Sequence, residues 1–284
     1  MRRRRQRRLG DQHVGRQEGC LVEDQRWQSD RSVAFATSGT AIVAIGPGTA
    51  TDGGYANAIV ALDPKTLALK DWFTQPGVAF VAPPVLFQES GKDIVAVTTR
   101  DGRIPLLDAA SLGGSNHATP LFASASLTDG AATFSAQSPA MWQERVTPPA
   151  TDGTRWLLVP VSGRLPASTG AALNGAVSTG AILAVKIGYQ GGSFSVQPGW
   201  ISQNIAAPLT PIVVNGVVFA ASAPANAPAA LYALSGVTGA TLWQSGETIK
   251  SPLSGRSLWV GSGHVFAGTR DGTVYAFAFA MERH

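Results

Sequence analysis

A single cysteine, Cys20, in 284 residues excludes an intramolecular disulfide framework, a vicinal cysteine pair and a multi-cysteine zinc site. Charged residues make up only 14% of the chain. No apolar run reaches about 18 residues without glycine, proline or a polar break, so no membrane-spanning helix is expected. The histidines, His13, His117, His264 and His284, never stand at i,i+2 or i,i+4, so a metal site would have to be gathered from distant loops. A Gly-x-Ser-x-Gly nucleophile elbow is absent. Glu89, Glu144 and Glu247 stand apart in turns and read as solvated acids, with no acidic cluster of calcium-like density.

Basic charge is present but confined to one end. The net charge is +4, and residues 1–31 account for all of it with nine arginines against five acids. The rest of the chain holds 13 basic and 13 acidic residues, so no nucleic-acid partner is expected for the folded body. Residues 1–20, which open MRRRRQRR, read as a disordered basic tail, and 21–284 as the folded domain. No signal peptide is visible in that head, because no apolar stretch of about 7 to 15 residues follows the arginines.

Short Val-, Ile- and aromatic-rich segments recur along the chain, bounded by Gly, Asp, Asn or Pro: residues 41–45, 58–62, 93–98, 155–161, 181–187, 211–221, 229–234, 257–260, 264–269 and 273–279. This is the pattern of strands and hairpins. The phrase Thr-Arg-Asp-Gly occurs twice, 170 residues apart, with Asp101-Gly102 and Asp271-Gly272 placed to make tight turns between strands. Four prolines, Pro84, Pro139, Pro211 and Pro252, each precede an apolar run and suit the first residue of a strand. Their spacings of 55, 72 and 41 residues fit four-stranded blades with insertions, the most evident being GRLPASTGAALNGAVSTG from Gly163. An earlier start at Ser32 brings the number of recognisable blades to five. The expected fold is all-β, a β-propeller of four-stranded antiparallel blades.

Tryptophan marks the same units. Trp72 and Trp243 each close a stretch that begins with a strand ending Ala-Leu, and Trp200 and Trp27 occupy matching places before Pro211 and Ser32. Residues Ala233 to Trp243 carry Ala233, Thr238, Gly239 and Trp243 at the spacing A-x-D-x-x-T-G-x-x-x-W, with Ser235 for Asp. Residues 61–72 keep Ala61, Asp63, Thr66 and Trp72, but have Leu67 for Gly and one additional residue before the tryptophan. This pattern resembles the tryptophan-docking repeat of the quinoprotein-like, or pyrroloquinoline quinone (PQQ) repeat, β-propellers. The resemblance implies that Trp27, Trp72, Trp200 and Trp243 wedge between blades. It implies a ring of seven or eight blades, of which some would be missing upstream of those visible, or else closure of the last blade by Leu21 to Ser29. It also implies a periplasmic or extracellular address and two roles of different kinds. One is a monomeric, non-catalytic scaffold for protein partners, similar to outer-membrane assembly propellers. The other is an oxidoreductase of alcohols or sugars using PQQ with calcium, for whose alcohol-oxidising branch the vicinal cysteine pair is lacking.

Overall fold

The computed structural model describes residues 33–46, 55–145, 153–166, 169–255 and 258–278. The expected tail, residues 1–20, together with Trp27 and the segment Leu21 to Ser29, lies outside the described residues. Five sheets, antiparallel but for one short strand of the third, follow one another along the chain as the blades of a β-propeller. The first is β1 (Ala34–Phe35), β2 (Ala41–Ile45), β3 (Ala58–Leu62) and β4 (Leu69–Thr74). The second is β5 (Val85–Glu89), β6 (Lys92–Ala96), β7 (Pro105–Asp108) and β8 (Phe122–Ala123). The third comprises β9 (Ala132–Phe134), β10 (Ala140–Gln143), β11 (Arg155–Gly163), β12 (Ala172–Leu173), β13 (Gly180–Gln190) and β14 (Ser193–Ile201). The fourth is β15 (Ile212–Val214), β16 (Val217–Ser222), β17 (Ala230–Ser235) and β18 (Thr241–Gln244). The fifth has three described strands, β19 (Trp259–Gly261), β20 (His264–Gly268) and β21 (Val274–Ala278).

Alternation of side chains across each strand explains the stacking. In β6 and the residue after it, Ile94 and Ala96 face the third sheet while Val95 and Val97 face the first. In β11, Leu157 and Val159 pack toward the second sheet, and Trp156 and Leu158 toward the fourth. In β16, Val218 and Ala220 join the third-sheet junction, and Phe219 and Ala221 the fifth-sheet junction. Strands apolar at every position are the signature of sheets covered on both faces. Each fully buried Leu, Ile or Val contributes about 1.5–3 kcal/mol, against about 1 kcal/mol for a hydrogen bond, so these four apolar junctions hold the sheets together.

Several details depart from the sequence reading. Residues 211–221 form two strands rather than one, because Asn215 and Gly216, with φ of 49° and 77°, close a two-residue hairpin. Ser90-Gly91 and Ser262-Gly263 make the same turn in the second and fifth sheets. The third sheet is six-stranded: β9 pairs with β11, and the insertion after Gly163 supplies β12, which lies parallel to β14. Pro84, Pro139 and Pro211 directly precede β5, β10 and β15, but Pro252 does not open β19. Its carbonyl accepts the Arg270 N–H, as the Ala79 carbonyl accepts that of Arg100, so Pro252 corresponds to Ala79.

Polar contacts tie the first two sheets. The Asp93 carboxylate accepts the Thr37 hydroxyl and, at 2.7 Å, the Thr37 backbone N–H. The Thr37 hydroxyl, more than its backbone N–H, holds the Asp93 carboxyl below its ordinary range. A carboxyl depressed in the fold stabilises it above the unfolded value of about 3.9, and that stabilisation is lost as the pH falls through the lower, folded value. Asp93→Asn is therefore expected to flatten the acid limb of stability below about pH 4, measured by urea denaturation at stepped pH. An acid limb identical to the parent's would contradict this role.

Candidate functional site

The third and fourth sheets meet at a docked indole. Trp200, in β14, is buried, and its Nε1–H donates to the Gly236 carbonyl at 2.8 Å. It lies on the turn Ser235 to Ala240, closed by Ser235 N–H to Ala240 O (2.8 Å) and Gly239 N–H to Ser235 O (2.7 Å). A Cβ on Gly239, where φ is 73°, would stand 2.3 Å from Trp200 Cε3. Glycine is thus required twice over, by backbone conformation and by the indole. Asn174, from the insertion, donates from Nδ2 to both Ile201 O and Thr238 O at 2.9 Å and crosses the same junction. The structure therefore brings Trp200, Thr238 and Gly239 together at one junction, while Ala233, in the β17 strand that leads into this turn, faces the fifth sheet.

Register decides the fate of the other tryptophans. Trp200 pairs with Ala184 and Trp243 with Ala233, each followed by a bulge. The corresponding pair in the first sheet is Ala61 with Asp71, also next to a bulge. The additional residue before Trp72 shifts it by one, and a one-residue shift moves a side chain to the opposite face. Trp72, expected to wedge between blades, lies on the face of the first sheet opposite Phe73 and Ala61, which face the second sheet. Asp71 takes the docking position and accepts the Leu112 N–H at 2.8 Å. His117, from the connection after β7, reaches round the β4 edge, stacks on Trp72 at 3.6 Å and lies 2.9 Å from Asp71. Trp243 faces the fifth sheet at 5.3 Å from Phe277 yet remains 42% exposed.

Both Thr-Arg-Asp-Gly turns connect the second and third strands of their sheets, and they match closely. Thr99 N–H donates to Arg103 O (3.1 Å) and Thr269 N–H to Thr273 O (2.9 Å), while Gly102 and Gly272 return their N–H groups to the Thr99 and Thr269 carbonyls. Asp101 and Asp271 accept the hydroxyls of Thr99 and Thr269. The Thr269 hydroxyl is the main reason that the Asp271 carboxyl sits below its ordinary value. These carboxylates are committed to their own turns. Glu89, expected to be a solvated turn acid, instead receives Arg155 Nη1 at 2.6 Å while Arg155 Nη2 donates to Gln88 O at 3.1 Å. The pair clamps the second sheet to the third beside a cleft of about 270 Å³ lined by Ile94, Phe122, Tyr189 and Phe194. The charged groups at its rim, Glu89 and Lys92, are held by Arg155 and Asp108.

Calcium with PQQ needs several converging oxygen ligands. Among the described residues no three His, Cys, Asp or Glu side chains gather into a metal-binding group. The described residues do not fit that cofactor. No helix among them is long and apolar enough to cross a membrane.

No family model matches the sequence. No curated protein matches it either. Among solved structures, the fold is similar to BamB from Moraxella catarrhalis, with a TM-score of 0.41 and 16% identity over 84% of this chain and 70% of that one. It is also similar to the quinohemoprotein alcohol dehydrogenase from Comamonas testosteroni, at 0.46 and 15% identity, where 84% of this chain spans only 43% of the enzyme. The computationally designed Ika4 protein gives 0.37 and 16% identity over 73% of this chain and 96% of Ika4. Likeness at these scores carries no argument about activity, cofactor or partner.

Two glycine substitutions separate docking from turn geometry. Gly239→Ala should destabilise by more than about 3 kcal/mol, since it adds overpacking against Trp200 to the cost of a positive φ. Gly272→Ala, with φ of 84° and nothing within 4 Å of the added Cβ, should cost only about 1 kcal/mol. Equal losses in chemical denaturation would contradict the docking account.

Proposed function

We propose that this β-propeller is a non-catalytic binding scaffold for protein partners, and that β18 is where an extended partner segment adds. The observation that carries the reading is the contrast between sheet edges. The outer edge of the third sheet is covered by β12 along β14. That of the first is met by the connection after β7, whose His117 carbonyl accepts the Thr74 N–H at 2.9 Å. In the fourth sheet β18 is the last strand; all four of its residues are exposed, including Leu242 at 60% beside Trp243. An uncovered edge strand offers backbone N–H and C=O groups for pairing, and apolar side chains along it anchor an added strand. The positions after Ala278 lie outside the described residues. The neutral body suits partners held by apolar and backbone contacts, and we infer from the resemblance that they are periplasmic or extracellular.

The test is fluorescence anisotropy of a labelled, proline-free peptide with alternating apolar and polar residues. Saturable binding is expected, weakened about tenfold or more, about 1.4 kcal/mol, by Leu242→Lys, with Trp243 emission shifting as the parent binds. Binding unaffected by Leu242→Lys would remove the β18 site. In a parallel titration, PQQ with calcium should leave tryptophan emission unchanged; stoichiometric quenching would favour the oxidoreductase reading instead.

A further inference from the structure

The third sheet overhangs its neighbour. Its strands β13 and β14 run to eleven and nine residues, whereas the corresponding strands of the other sheets have four to six and two to six. The added length forms a hairpin closed at Gly191-Gly192, both at positive φ (59° and 82°). Along β13, Val185 and Ile187 are buried against the second sheet, and the two-residue period of a strand puts Tyr189 on the same face. Phe194 stands directly across from Tyr189, with ring centroids 4.7 Å apart. The second sheet has nothing of matching length to cover them. Its β8 has only two residues, and the connection leading into β8 turns toward the first sheet, where His117 stacks on Trp72. The apolar face of the hairpin therefore outruns the junction. The space left is the cleft of about 270 Å³, lined by buried Ile94 and by Phe122, Tyr189 and Phe194.

Shape, charge and size together define what fits. The walls are held in place by the fold: Phe194 lies edge-on to Phe87 at 6.4 Å, and Arg155 covers the Phe87 ring at 4.7 Å. Fixed aromatic walls favour a flat ring, because little ordering cost remains on the protein side. The charges at the rim cancel, Glu89 against Arg155 at 2.6 Å and Lys92 against Asp108 at 3.1 Å. A charged occupant would lose hydration and find no uncompensated partner, so the site suits a neutral one. The volume falls just short of the roughly 300 Å³ at which drug-sized pockets begin, which leaves room for a single ring system. At the mouth, the Ser193 hydroxyl has no partner among the described residues, and the Lys92 ammonium retains further N–H donors. A neutral flat ring with an apolar body and a polar tip is the side chain of tyrosine or tryptophan, two of the residue types that most often anchor protein interfaces.

We propose that this cleft seats one tyrosine or tryptophan side chain of a protein partner. That the ring belongs to a protein rests on the scaffold role proposed above. The site itself lies between the second and third sheets and is separate from the β18 edge of the fourth.

A two-dimensional amide NMR titration of the full chain with N-acetyl-L-tryptophanamide and N-acetyl-L-tyrosinamide tests it. Saturable shifts are expected at residues 121–122 and 189–194, with a Kd on the order of 1 mM for a single side chain. N-acetyl-L-leucinamide and methyl β-D-glucoside should bind more weakly. Tyr189→Ala should abolish the shifts, and Tyr189→Phe, which keeps the ring, should retain them, with near-UV circular dichroism confirming that both variants are folded. Leu242→Lys should leave the shifts unchanged, because it acts only at β18. Aromatic amides that bind here while the extended peptide fails at β18 would support this site and overturn the other. No saturable shift at the cleft, equal binding of the leucine amide or the glucoside, or binding that survives Tyr189→Ala would each overturn the proposal.

Discussion

The constraint on which this structure depends is that most of its strands are apolar on both sides. A sheet with one apolar face is finished by a single partner layer; a sheet with two is not. Strands such as AIVAI at Ala41–Ile45 and AIVAL at Ala58–Leu62 force sheet upon sheet, and a repeated twisted sheet placed in this way generates the propeller. Charge does little of this work: among the described residues Arg155–Glu89 and His117–Asp71 link sheets, while Lys92–Asp108, Arg103–Asp101 and Lys250–Glu247 are local pairs.

Three of the four junctions are each fixed by a polar device of their own. Between the third and fourth sheets, the Trp200 indole reaches the Gly236 carbonyl, so the ring's area and its N–H are both satisfied. Between the first and second, one additional residue has put Asp71 where an indole would dock, and the carboxylate takes the Leu112 N–H. The displaced Trp72 is packed by His117 and Tyr55 on the other face. Between the second and third, Arg155 holds Glu89 and lies 4.7 Å over the Phe87 ring. The apolar layers are common to all junctions and the pins are interchangeable, which is why a repeat can decay in sequence while its architecture persists.

That division also explains what could be read from the chain. The inner strands, such as Ala41–Ile45, Ala58–Leu62 and Ala230–Ser235, and the five-sheet organisation were legible because period-2 apolar runs and turn residues are local signals, whereas β4, β12 and β14 carry mixed or short patterns and were not. The sequence marked Asp101-Gly102 and Asp271-Gly272 as turns and Trp200, Thr238 and Gly239 as parts of a repeat, but not that the indole of one repeat lies on the turn of the next. The hairpin at Asn215-Gly216 was signalled by that dipeptide but was masked by the continuous apolar run around it. The face occupied by Trp72 depended on a single bulge, which composition does not reveal. The partnership of Glu89 with Arg155 joins residues 66 positions apart and leaves no local trace. The edge exposed at β18 became visible only when β12 was found lying on the corresponding edge of the third sheet.

The most direct measurement of the central claim, that a docked indole pins sheet to sheet, is hydrogen exchange of the tryptophan indole N–H groups by NMR, with Trp200→Phe assigning the resonance. The account predicts that the Trp200 N–H exchanges as slowly as the backbone amides of β13, because opening requires the third and fourth sheets to part. Exchange as fast as that of a solvent-exposed indole in the folded protein would contradict it.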